Sequence, residues 1–183
     1  MEHRALGASG LTVPVVGMGT WSTFDVRGTA AEANARRVVD RALEAGAIFF
    51  DSSPMYGQSE RVLGQALDGR RAQAQIATKV WTPNAAEGRR QVERALVFYG
   101  GHVELYQIHN LVNWREHLKM LEQLKEDGRA SQMDFERSSL PCRHPCDLET
   151  GSDDRECRSG QSALVRLRDA GVCGSPGPPT LVV

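Results

Sequence analysis

Cysteine is missing from the first 141 residues, and no apolar run approaches the roughly 20 residues that a membrane-spanning helix needs. The opening stretch Met1–Gly10 holds no apolar core of the kind a secretory leader carries. Charge of one sign is also lacking: 22 Lys and Arg oppose 23 Asp and Glu, a formal net charge of −1. That balance gives no footing for nucleic acid, a membrane surface or an acidic partner. The expected location is the cytoplasm. No G-x-G-x-x-G follows the first expected strand, which counts against an open sheet with a dinucleotide fingerprint.

What is present suits one soluble domain: 183 residues, 40% hydrophobic and 25% charged, are enough to bury a core. The composition breaks near residue 129. All four cysteines and five of the eight prolines follow it, whereas all three lysines, Lys79, Lys119 and Lys125, precede it. The reading is therefore a domain over residues 1–129 and an irregular tail over 130–183.

Short extended runs at Arg4–Gly7 and Leu11–Pro14 flank Ala8–Gly10 and predict a β-hairpin. Val15–Gly19 reads as a buried strand. Residues 30–45 carry Ala35, Val38, Val39, Ala42 and Leu43 at helical spacing, with Gly46 as the stop. Ile48–Asp51 is a short apolar strand ending in a carboxylate, and Ser59 is the expected N-cap of a helix over 60–67. A strand over Gln75–Lys79, a helix over 87–99, a strand over Val103–Ile108 ending at His109, and a helix over Trp114–Glu126 complete the pattern. Strands alternating with helices indicate a parallel sheet. Three of the strands end in Asp51, Lys79 and His109, and a (β/α)8 barrel places its chemistry on that edge.

These three residues and Tyr56 make a chemical set. Reducing a carbonyl needs a proton donor at its oxygen, and free tyrosine, with a pKa of about 10, is a weak acid. A nearby ammonium favours tyrosinate, and a carboxylate beside that ammonium keeps it charged and oriented. An imidazole can hydrogen-bond the same substrate oxygen. Taken singly, each residue has a bland reading as a turn, cap or loop residue, and Trp21 and Trp81 as packing residues. Four in register favour the joint one.

The segments RALGASGLTVPVVGMGTW, FFDSSPMYGQSERVLGQAL, IATKVW and LYQIHN resemble those of the aldo/keto reductases, in the same order and at similar separations. The resemblance covers residues 3–129. It implies an α/β fold, the N-terminal half of a TIM (β/α)8 barrel with an N-terminal β-hairpin, and NADPH-dependent reduction of an aldehyde or ketone. By matched position it implies Tyr56 as general acid, Lys79 as the group that tunes it, Asp51 as the holder of Lys79, and His109 as the orienter of the carbonyl. It also implies that Gly19, Thr20, Trp21 and Asp51 lie on the cofactor side, and that Trp21, Trp81, His109 and Asn110 line the substrate pocket.

After Arg129 nothing matches the family's fifth to eighth strands, including the loops that hold the adenine-side phosphate. Residues 130–183 show no period, apart from one helical turn expected at Leu164–Leu167. The tail reads as a product of a shifted reading frame or as an insertion-derived terminus. Cys142, Cys146, Cys157 and Cys173, with His144, lack the paired C-x2-C spacing of zinc sites, so no metal is expected. Four strands cannot close a barrel, and open edges invite self-association. The leading expectation is thus a reductase acting on a small carbonyl substrate and impaired by its shortened barrel. The alternatives are a non-catalytic binding or regulatory module on the same half-barrel, and a non-functional frameshifted product.

Overall fold

The computed structural model describes residues 1–137 and 163–165. The hairpin forms as expected, with β1 (His3–Ala5) antiparallel to β2 (Thr12–Pro14). The next strand, β3 (Met18–Gly19), is shorter than Val15–Gly19. Val15 still bonds back to the hairpin through its N–H to the Glu2 carbonyl, so pairing with the main sheet starts late.

Helix α1 (Thr29–Glu44) ends in a paired carbonyl cap: Gly46, at φ 79°, donates to Leu43 and Ala47 donates to Ala42. Strand β4 (Phe49–Asp51) and helix α2 (Ser59–Ala66) follow. Ser59 is the first helical residue rather than the cap, and its hydroxyl donates instead to the Thr20 carbonyl at 3.1 Å. After a 3-10 turn at Arg71–Gln73 come β5 (Gln75–Val80) and α3 (Ala85–Phe98). Helix α3 begins two residues before the expected 87, because the Asn84 side chain accepts from the N–H groups of both Ala86 and Glu87. Strand β6 (Val103–His109) and helix α4 (Trp114–Glu126) agree with the pattern.

Residue 129 is not where order stops. Ala130–Arg137 forms β7, parallel to β6, and Ala163–Val165 forms β8, antiparallel to β7. Ser131, Gln132, Asp134 and Glu136 hide β7 from a hydrophobic-pattern reading; pairing along the β6 edge creates it. Leu164 and Val165 are likewise strand, not a helical turn, because they pair with Glu136 and Phe135. The cysteines, and the remaining tail expectations over 138–162 and 166–183, lie outside the described residues.

Strand order is the informative feature. The large sheet runs β3-β4-β5-β6-β7-β8, strictly in chain order, with the first five strands parallel. An open doubly wound sheet reverses direction at a switch point, whereas a (β/α) barrel winds one way only. This is therefore part of a (β/α) barrel. One layer of core lies between strands and helices and includes Phe50, Ile76, Val80, Tyr106, Leu63, Leu96 and Leu121. The opposite face holds Phe49, Ala77 and Leu105, which meet Val13, Leu6 and Leu11 of the hairpin. The hairpin thus floors the barrel interior. Among the described residues, no helix is long and apolar enough to cross a membrane.

Helices α2 and α3 touch at Gly64, where a Cβ would sit 2.5 Å from the Phe98 carbonyl oxygen. Alanine normally gains about 1 kcal/mol over glycine inside a helix. Overpacking against rigid backbone costs about 1–3 kcal/mol, so the clash wins. Gly64→Ala is expected to lower the urea midpoint; a raised midpoint would contradict the close crossing.

Candidate active site

Side chains alternate across a strand, so residues two or four beyond the floor residues share their face. Asp51 lies two beyond Phe49, Lys79 two beyond Ala77, and His109 four beyond Leu105. All three therefore project into the barrel interior, nearer the C-terminal edge than the floor.

Lys79 is fully buried. Its Nζ donates to Asp51 Oδ1 and Oδ2, both at 2.7 Å, and to the Ser52 carbonyl at 3.0 Å. Three oxygens thus surround an ammonium that has three N–H groups to give. Tyr56 is half-buried on the loop after β4, and Lys79 Nζ stands 5.3 Å from the centre of its ring. His109 is buried and meets the Trp81 indole edge-on, with ring centroids 6.5 Å apart. The expected acid, phenol, amine and imidazole thus stand on consecutive β–α units around one edge.

The Tyr56 loop is held at several points. Ser52 N–H donates to the Ala77 carbonyl, Tyr56 N–H to the Ser53 carbonyl, and Ser59 N–H to the Tyr56 carbonyl. Gln58 N–H donates to Asp25 Oδ1 at 2.9 Å. Gly57, at φ 60°, lies so close to that carboxylate that a Cβ would fall 2.2 Å from Oδ1. Asp25 thereby ties the Tyr56 loop to the segment that carries Trp21.

The remaining expected residues divide by exposure. Thr20 is buried and committed inward: its hydroxyl donates to Ser52 Oγ at 3.0 Å and its N–H to the Asp51 carbonyl. Trp21 is 71% exposed, Trp81 40% and Met55 42%. Gly19 is exposed beside Asp51. Asn110 takes the left-handed region at φ 53° directly after His109. Among the described residues, no group of three or more His, Cys, Asp or Glu side chains could hold a metal.

The sequence reading did not single out Asp25, Ser52, Gln91 or, beyond its place in the first turn of α2, Glu60. Glu60 is buried between α2 and the sheet, where Thr78 Oγ1 donates to it at 2.6 Å. Thr78 points away from the barrel interior, on the opposite face to Lys79. Burial pushes the Glu60 carboxyl up from 4.5 to about 7, against smaller lowering effects from Thr78, Arg94 and Lys79. Burial, with the Glu60 carboxylate adding to it, also raises the Tyr99 and Tyr106 phenols well above their ordinary value.

The sequence profile of the aldo/keto reductase family matches residues 15–135. The chain belongs to that family. An uncharacterized oxidoreductase of Bacillus subtilis, YqkF, is 30% identical over 146 residues, covering 70% of this chain and 46% of that protein. The holo form of the aldo-keto reductase AKR11C1 from Bacillus halodurans superposes with a TM-score of 0.63 at 32% identity, covering 81% of this chain and 51% of that one. An aldo/keto reductase from Klebsiella pneumoniae in complex with NADP and acetate shares the fold at a TM-score of 0.60 and 24% identity, covering 68% of this chain and 46% of its own. The chain thus spans about half the length of these relatives.

Glu60 gives a stability test with a definite sign. The folded state holds the proton up to about pH 7, whereas the unfolded chain releases it near 4.5. The stabilising contribution is complete below the lower value and is lost as pH rises through the higher one. Relative to Glu60→Gln, the natural chain is expected to lose about 3 kcal/mol of unfolding free energy between those pH values. Urea titrations of both proteins at several pH values measure this. A difference that stays flat with pH would mean that the carboxyl is not desolvated.

Proposed function

We propose that this chain carries the proton-delivering half of an NADPH-dependent carbonyl reductase. One observation carries the reading: a fully buried ammonium, held by Asp51, 5.3 Å from the Tyr56 ring. A buried cation without a task is costly, since desolvation of an ion amounts to several kcal/mol even in real proteins. Here its field falls on a phenol, which is the group whose acidity a carbonyl reduction needs raised.

The roles follow from position. The Tyr56 hydroxyl gives its proton to the carbonyl oxygen of the substrate, leaving tyrosinate beside Lys79. The Lys79 ammonium stabilises that anion, and Asp51 keeps the ammonium charged and directed. The His109 imidazole hydrogen-bonds the same carbonyl oxygen and fixes its approach, with Trp21, Trp81 and Asn110 around it. NADPH, when bound, supplies the hydride that reaches the carbonyl carbon. The nicotinamide end fits what stands at this edge: Gly19 offers no side chain to obstruct a ring, and the exposed Trp21 indole offers it a flat apolar face. The NADP in the Klebsiella pneumoniae relative supports the choice of cofactor at the level of the family.

The test compares the natural chain, Tyr56→Phe and Lys79→Met with NADPH and a panel of small aldehydes. Loss of the general acid is expected to lower turnover by about 100-fold or more. Lys79→Met is expected to lower turnover too, and to cost about 3 kcal/mol in stability because Asp51 loses its counter-charge. A natural chain that turns over no carbonyl, indistinguishable from Tyr56→Phe, would leave a binding role and remove the enzymatic one.

A further inference from the structure

Trp81 opens the short connection from β5 to α3, and its position is held from behind by a residue the chemistry above does not use. Gln91, on α3, is buried. Its Oε1 accepts from the Trp81 N–H at 2.9 Å, and its Nε2 donates to the Trp81 carbonyl at 3.0 Å. One side-chain amide thus takes both main-chain groups of one residue, as a neighbouring strand would.

The next residue is pinned as well. His117, on α4, is buried, with Nε2 2.8 Å from the Thr82 carbonyl. A carbonyl only accepts, so that nitrogen carries the proton. His117 reaches this point past Gly88, where a Cβ would lie 2.4 Å from its ring. Thr82 Oγ1 in turn accepts from the Asn84 N–H at 3.1 Å.

This is more anchoring than an exposed connection needs. Water could satisfy the main chain of a residue that is 40% exposed. Instead buried polar groups from two helices fix the backbone of Trp81 and Thr82. What the anchoring does hold is an indole at 76° to the His109 ring. An edge-on pair of this kind is directional, and a small shift of the Trp81 backbone would break it.

We propose that Gln91 is a positioning residue for the substrate wall: by clamping the Trp81 main chain it keeps the indole edge-on to His109, and so sets which carbonyl compounds fit. The proposal rests on the carbonyl-reductase reading for its effect on substrates, but not for its effect on Trp81. A wall displaced by a fraction of an ångström changes the fit of a bulky substituent more than that of a small one.

Gln91→Met removes both hydrogen bonds at similar length, and Gln91→Glu keeps the acceptor for the Trp81 N–H. The chain has three tryptophans, so the indole N–H resonance of Trp81 is assigned as the one missing in Trp81→Phe. In Gln91→Met that resonance is expected to shift or broaden while those of Trp21 and Trp114 stay in place. KM for an aromatic aldehyde is expected to rise about tenfold, with little change in kcat and little change for a small aliphatic aldehyde. Gln91→Glu is expected to fall between, and it carries the same test if Gln91→Met does not fold. An unmoved Trp81 resonance overturns the proposal, as does an equal loss for both aldehydes, which marks a merely structural role. If the natural chain reduces no carbonyl compound, the reductase reading fails separately, and the resonance alone decides whether Gln91 positions Trp81.

Discussion

A lysine side chain with no exposure to water constrains everything around it. Its ammonium needs an anion and further acceptors, and these come from the neighbouring strand: both oxygens of Asp51 and the carbonyl of Ser52. The register of β4 against β5 decides whether they arrive. Asp51 pairs with Ala77, so Lys79 lies two residues further along β5 on the same face. A slip of β5 by one residue would turn Lys79 towards the helices and carry Ile76 and Val80 out of the outer layer into the barrel interior. The apolar packing of the outer layer therefore fixes the register, and the register makes the ion pair. The ion pair in turn penalises every other register, because each would leave a charge buried alone.

The loops follow from the same arrangement. Ser52, whose carbonyl accepts from Lys79, also accepts at its hydroxyl from Thr20, and Thr20 accepts at its carbonyl from Ser59. The buried pair is thus joined through short polar side chains to the start of the α1 connection and to the first residue of α2. Tyr56 lies between these anchors. The Asp25 carboxylate closes the far side by accepting from Gln58 N–H, and only glycine fits between it and the loop at position 57. The phenol is held by a network that begins at the ammonium it faces.

Much of this could be read from residue order, for a physical reason. β4, β5 and β6 are largely buried on both faces, so Asp51, Lys79 and His109 stand out as polar residues near the C-terminal ends of core strands. What escaped the sequence was whatever depends on a distant partner. β7 has alternating polar residues and exists because β6 offers it an edge. Ser59 looks like a cap until Thr20 claims its hydroxyl. Gln91 sits on a helix at a position that periodicity marks only as inward-facing, and nothing local says that its amide turns back to Trp81. Glu60 resembles an ordinary first-turn carboxylate, and only tertiary burial makes it otherwise.

The locality of the site bears on what half a barrel can do. Asp51, Tyr56, Lys79 and His109 come from three consecutive β–α units, and the described contacts among them join Lys79 on β5 to the neighbouring β4 and to the loop that follows β4. None of these contacts needs the strands by which longer relatives exceed this chain. On the proposed reading, proton delivery and cofactor retention are therefore separable: the first draws on β4 to β6, whereas the resemblance assigns the adenine-side phosphate to loops after the last two strands of a whole barrel. On that reading, the chain keeps the geometry of Asp51, Lys79 and Tyr56 wherever its outer helices pack, and any turnover depends on what holds a cofactor at the edge that Gly19 and Trp21 occupy.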